Sequence, residues 1–113
     1  ECGTASAMAA AAVCELEGAS AQTAVDAAAF ALMASMGLVC DPVRGLVEVP
    51  CVYRNVSGVA NALTAADLAL SGIECPLEAD DVVDAMKAVG DAMPASLRET
   101  GEGGCAACRV RER

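Results

Sequence analysis

The stretch LVCDPVRGLVEVPCVYRN, residues 38–55, governs how the rest of the chain is read. It carries two cysteines, Cys40 and Cys51, with Pro42, Gly45 and Pro50 between them. Each proline biases the residue before it away from helix, and glycine admits backbone angles that other residues avoid. Ala-rich stretches with helical periodicity flank the segment on both sides. The pattern predicts an irregular loop slung between two helices, with a thiol at each anchor. Cys40 is expected just past the end of one helix and Cys51 at the start of the next. A thiolate at a helix N-terminus meets the positive end of the macrodipole and free N–H donors. Arg54, three residues past Cys51, falls on the same side of that helix and adds a fixed positive charge. Such surroundings suit a soft-metal ligand. The alternative is a pair of small hydrophobes flanking a loop, because cysteine is among the most buried residue types. The eleven-residue separation also matches no common short zinc pattern.

Working outward, the periodicity predicts an all-α fold: a bundle of about four main helices, with the cysteine loop between the second and third. The first helix is expected over 4–17, stopped by Gly18, with Met8, Ala12 and Leu16 on one face. Ser20 is a cap for the second, whose buried face is read as Val25, Ala29, Leu32 and Met36, and Gly37 ends it. The third, over 52–70, shows an apolar stripe of Val52, Val56, Val59, Leu63, Ala66 and Leu70. Beside it runs a row of small residues, Gly58, Ala62, Ala65 and Ala69, so this helix is expected to be central and packed on two sides. The fourth, over 79–93, has Asp80 and Asp81 in its first turn and buries Val82, Met86, Val89 and Met93. A short turn of helix follows around Ser96, and the Gly-rich end from Gly101 is expected to fray. The reading gives one helical unit over 1–104 and a flexible tail over 105–113.

Composition narrows the function. The chain has 113 residues, 56% of them hydrophobic, but aromatics make up only 2%. An alanine-built core buries little surface per residue, which suggests a piece that packs inside something larger. The net charge of −9 leaves no basic stripe for nucleic acid and none for an anionic membrane. The apolar window 27–40 is shorter than the ~20 residues a span requires. With no histidine, the usual general base and the usual zinc nitrogen ligand are both missing. Seven cysteines cannot all pair internally, and several lie in helix-like contexts, which favours a reducing cytoplasm. The chain starts at Glu1 without a methionine and reads as a fragment.

Cys105 and Cys108 form a Cys-Ala-Ala-Cys. That spacing fits half a zinc site, with Cys40 and Cys51 as the other half, or a redox dithiol, or two free thiols on a mobile tail. Asp41, Glu48 and Asp67 are possible ligands or bases, although surface solvation explains each equally well.

Several runs carry a resemblance. They are ECGTASAMAAAA from Glu1, GLVCDPVRGLVEVPCVYRN from Gly37, ANAL from Ala60 and LRET from Leu97. Together they resemble the C-terminal part of the alpha chain of iron–sulfur-dependent L-serine dehydratase, from Glu1 to about Gly104. The resemblance implies elimination of water from L-serine to give pyruvate and ammonia, with a [4Fe–4S] cluster acting as Lewis acid. It implies three cysteine ligands, two matching Cys40 and Cys51 and the third upstream of Glu1, so the isolated piece is expected to be inactive. Arg54 and Asn55, within one helical turn of the second ligand, are candidates to orient the substrate or hydrogen-bond the cluster. The implied partners are the remainder of the alpha chain, a beta chain or domain, and further copies in an oligomer. After Gly104 this chain departs from the family's usual Leu-Ala-Ala-Thr-Pro. A non-catalytic helical interaction module with structural cysteines is the competing reading.

Overall fold

Ser20 shows how local chemistry starts an element here. Its hydroxyl accepts a hydrogen bond from the backbone N–H of Thr23, satisfying one of the unpaired donors of a helix start. In the computed structural model, which describes residues 1–111, the chain forms four α-helices. They are α1 (Cys2–Leu16), α2 (Ala21–Ser35), α3 (Cys51–Leu70) and α4 (Ala79–Ala92). Gly18, Gly37 and Gly72 follow α1, α2 and α3 with positive φ, the conformation that ends a helix at little steric cost to glycine. No named strand occurs among the described residues, and the all-α expectation holds. No described helix is long and apolar enough to cross a membrane.

Helices α1, α2 and α3 pack against one another, and α4 lies against α2. Thus α2, not α3, is the central helix. The reason lies in which residues make the contacts. The core consists mostly of alanine: Ala10, Ala27, Ala31 and Ala66 are fully buried. On α3 the row of small residues Ala62, Ala65, Ala66 and Ala69 is inside, whereas Val52, Val56, Val59 and Leu63 are all more than half exposed. The same inversion holds on α1, where Met8 and Leu16 are exposed while Ser6, Ala7, Ala10 and Cys14 are buried. Of the two faces expected to pack on α3 only the small-residue row does, and on α1 the face marked by Met8 and Leu16 is the outer one. Side chains of one carbon let helix backbones approach closely, and the larger ones are left on the far side. On α4 the expected face is better placed, with Val82 buried and Met86 packed against the core.

A polar network joins the three packed helices. Ser6 of α1 donates to the carbonyl of Gly58 on α3 at 2.8 Å. Asn61 of α3 donates to Ser6 Oγ and to the carbonyl of Ala31 on α2, both at 3.0 Å. Every buried side-chain nitrogen and oxygen among the described residues has a partner. The unit that results is flattened, only 15 Å in its shortest dimension.

This arrangement predicts an ordering of stabilities opposite to that of side-chain size. Ala66→Leu should destabilise by about 1–3 kcal/mol through overpacking. Val56→Ala on the exposed stripe should stay within about 0.5 kcal/mol of the parent. Urea denaturation of the two variants measures both, and the reverse order would mean that the stripe is the packed face.

Candidate functional site

The loop after α2 is pinned by backbone hydrogen bonds to a segment far along the chain. Cys40 N–H donates to the carbonyl of Leu97 at 2.9 Å, and Glu99 N–H donates to the carbonyl of Cys40 at 2.7 Å. These bonds make an isolated parallel bridge between Cys40 and Arg98. The LRET run thus fixes the position of the first cysteine. The loop continues through a short 3-10 turn, Val43–Gly45, and a cis Val49–Pro50 peptide into α3, which begins at Cys51. Both anchor expectations hold: Cys40 lies beyond the end of α2, and Cys51 is the first residue of α3.

Asp41 lies between the two thiols in sequence and is buried, with 2% of its surface exposed. One carboxylate oxygen accepts from Arg54 Nη1 in an ion pair. The other accepts from the backbone N–H of Cys105 at 2.5 Å. Arg54 Nη1 also donates to the carbonyl of Val39 at 2.9 Å. Burial acts to raise the Asp41 pKa. The hydrogen bonds from Arg54 and Cys105 and the guanidinium charge outweigh it, so the carboxyl titrates below its ordinary range. The same hydrogen bond, with the Asp41 charge behind it, raises the pKa of Arg54.

The segment expected to fray from Gly101 packs on this loop instead. Residues Gly104–Ala107 form a 3-10 turn in contact with the Val43–Gly45 turn. A Cβ at Gly104, whose φ is +58, would come within 2.2 Å of Asp41 Oδ2. One at Gly101 would meet the carbonyl oxygen of Pro42 at 3.2 Å. Gly104 is therefore a close-fitting cover over Asp41 and Gly101 packs on the adjoining turn, roles that composition alone made look like looseness. Residues 112 and 113 of the expected tail lie outside the described residues.

Cys40, Cys51 and Arg54 line one cavity of about 180 Å³, where the starts of α1 and α3 meet the chain leaving α2 and the last turns of α4. Cys2, the first residue of α1, lines it too. Gly3 makes this approach possible, since a Cβ there would sit 2.6 Å from Ser35 Oγ at the end of α2. Asn55 is exposed and does not line the cavity. Burial and the neighbouring Glu1 carboxylate push the Cys2 thiol up, which disfavours its thiolate. Asp41 does the same to Cys105. Among the described residues no three metal-ligating side chains come together, so the four-thiol zinc arrangement of Cys40, Cys51, Cys105 and Cys108 is not assembled. The donors opening on the cavity are soft thiols beside a guanidinium. That chemistry suits an iron–sulfur cluster, but the set is incomplete within these residues.

Residues 1–106 match the serine dehydratase alpha chain family. The chain belongs to that family. It is 56% identical over 107 residues to a probable L-serine dehydratase alpha chain of Latilactobacillus sakei, covering 95% of this chain and 51% of that one. To the corresponding protein of Bacillus subtilis (strain 168) it is 54% identical over 107 residues, 95% of this chain and 36% of the relative. To the L-serine dehydratase alpha chain of Peptoniphilus asaccharolyticus it is 50% identical over its full 113 residues, 39% of the relative. The chain thus spans between about a third and a half of these relatives. Cys40, Cys51 and Arg54 were legible in the sequence; Asp41 was seen only as one carboxylate among several. The signal that distinguishes it, its place between two thiols that a distant arginine and a distant glycine cover converge on, exists only in three dimensions.

Removing the guanidinium would strand the Asp41 carboxylate in the interior. Arg54→Met should destabilise the protein by at least about 2 kcal/mol, because the lost partner leaves a buried charge uncompensated. Chemical denaturation checks this, and parent-like stability would mean that Asp41 has found water or another donor.

Proposed function

We propose that this chain is the part of an L-serine dehydratase that supplies Cys40 and Cys51 as two of the three cysteine ligands of a [4Fe–4S] cluster. The complete enzyme would eliminate water from L-serine, and the released aminoacrylate would tautomerise and hydrolyse to pyruvate and ammonia. The observation that carries this reading is the convergence of Cys40 and Cys51, from opposite ends of a ten-residue loop, on one cavity with Arg54 at its wall. Family membership supplies the substrate class. Cys40 and Cys51, with a third thiolate, would hold the cluster, which would supply Lewis-acid polarisation of the substrate hydroxyl as a leaving group.

The residues of this chain bind and position. The ion pair to Asp41 and the hydrogen bond to Val39 hold the Arg54 guanidinium in the cavity wall. Its Nε and second Nη2 hydrogen have no oxygen partner among the described residues, so they are free to take the substrate carboxylate. Asn55, exposed one turn past Cys51, is assigned as a secondary hydrogen-bonding group for a substrate carried above the helix start. Asp41 is engaged by two donors and is not the base that removes the α-proton. We assign that base, and the third cysteine, to the remainder of the alpha chain or to a beta chain or domain, within an oligomer. We assign the enzyme to the reducing cytoplasm, a reading supported by seven cysteines with no disulfide among them.

The test is anaerobic reconstitution with iron and sulfide of this chain and of a longer alpha chain extended upstream, followed by cluster absorbance. The longer chain, with the rest of the enzyme supplied, should take up the cluster and form pyruvate from serine, and this chain alone should not. Cys40→Ser and Cys51→Ser in the longer chain should each abolish cluster uptake. Uptake unchanged in both would reduce the two residues to structural thiols. Arg54→Lys should raise the KM for serine about tenfold or more, because a point charge cannot reproduce the planar guanidinium fork. Unchanged kinetics would remove Arg54 from the substrate site.

A further inference from the structure

We infer that Asp41 is a positioning residue for the two ligand thiols, and that the glycine cover over 101–104 is what keeps it in place. The inference rests on the assignment of Cys40 and Cys51 as ligands. Three segments far apart in sequence reach this one carboxylate. The loop reaches it through Asp41 itself, directly after Cys40. Helix α3 reaches it through Arg54, one turn after Cys51. The C-terminal cover reaches it through the Cys105 N–H at 2.5 Å. Arg54 returns to the loop at the Val39 carbonyl, directly before Cys40, at 2.9 Å. The first cysteine is therefore bracketed by residues 39 and 41, both bonded to an arginine on the helix that carries the second cysteine. This closed linkage couples the position of Cys40 to that of Cys51, which the ten-residue loop between them, with its two prolines and glycine, would not do by itself.

The cover matters because the carboxylate is nearly closed off from water. Gly104 lies so close that any side chain there would overlap Asp41 Oδ2. Gly103 fits against the Ser96 carbonyl, where a Cβ would lie at 2.9 Å, and Gly103 N–H donates to that same carbonyl at 3.0 Å. The residues holding the cover thus lead directly into Leu97 and Glu99, whose backbones fix Cys40 from its other side.

Groups that support ligands without touching the metal typically change metal retention by about 10–100-fold when altered. The test uses the complete holoenzyme carrying Asp41→Asn, Gly104→Ala or, as a control far from the loop, Asp80→Asn. Cluster loss is followed by absorbance after adding an iron chelator. The paramagnetic resonance spectrum of the reduced cluster is recorded alongside, and circular dichroism reports the helices. Asp41→Asn and Gly104→Ala should keep the helical signal, lose the cluster about 10–100-fold faster and show an altered reduced-cluster spectrum. Asp80→Asn should match the parent in all three. A purely structural role for Asp41 would lower thermal stability without moving the resonance spectrum. Parent-like retention and spectrum in both variants, beside a parent that holds its cluster, would overturn this inference alone. A parent enzyme that contains no iron and sulfide would overturn the ligand assignment and this inference with it.

Discussion

The buried ion pair between Asp41 and Arg54 is the constraint on which the functional end of the molecule depends. Taking two charges out of water is costly, and their attraction offsets that cost only when geometry and further hydrogen bonds are good. Here the further bonds are present: Asp41 also accepts from Cys105 N–H, and Arg54 also donates to the Val39 carbonyl. Without them the loop from Leu38 to Pro50 would have few apolar contacts of its own, for Leu46 and Val47 are both exposed. Polar bonds rather than core packing give this loop its shape.

The helices that carry the loop work in the opposite way. Their contacts come from alanine, which contributes little burial per residue but lets backbones approach, and from the Ser6–Asn61 network that ties α1, α2 and α3. That choice leaves a row of valines and a leucine facing outward on α3 and a unit only 15 Å in its shortest dimension. Its consequence for the site is proximity. The starts of α1 and α3 and the exit of α2 converge closely enough for Cys2, Cys40 and Cys51 to share one cavity. Bulkier helix contacts would hold these ends further apart.

Much of the site was legible before the structure. The prolines and glycine between Cys40 and Cys51 marked the loop, Ser20 and Gly37 marked the limits of α2, and Arg54 was placed beside Cys51 by helical spacing. What failed was the expectation that α3 packs on two sides: the small-residue row is inside as expected, but the stripe of Val56 and Leu63 faces outward. The segment from Gly101 was read as loose because glycine is permissive, and at Gly104 backbone and carboxylate proved to come too close for any side chain.

The sequence by itself determined that the chain is helical, where the helices end and, for all but the start of α1, where they begin, and which family's cysteine loop it carries. Those properties follow from local chemistry: caps, breakers, periodicity and motif. Only the tertiary structure decided which helix face is inside, that Asp41 joins Arg54 to Cys105, and that LRET holds Cys40. Each of these depends on residues from 13 to 64 positions apart meeting at hydrogen-bonding or contact distance. No local preference encodes such meetings, because they arise only when whole helices have packed.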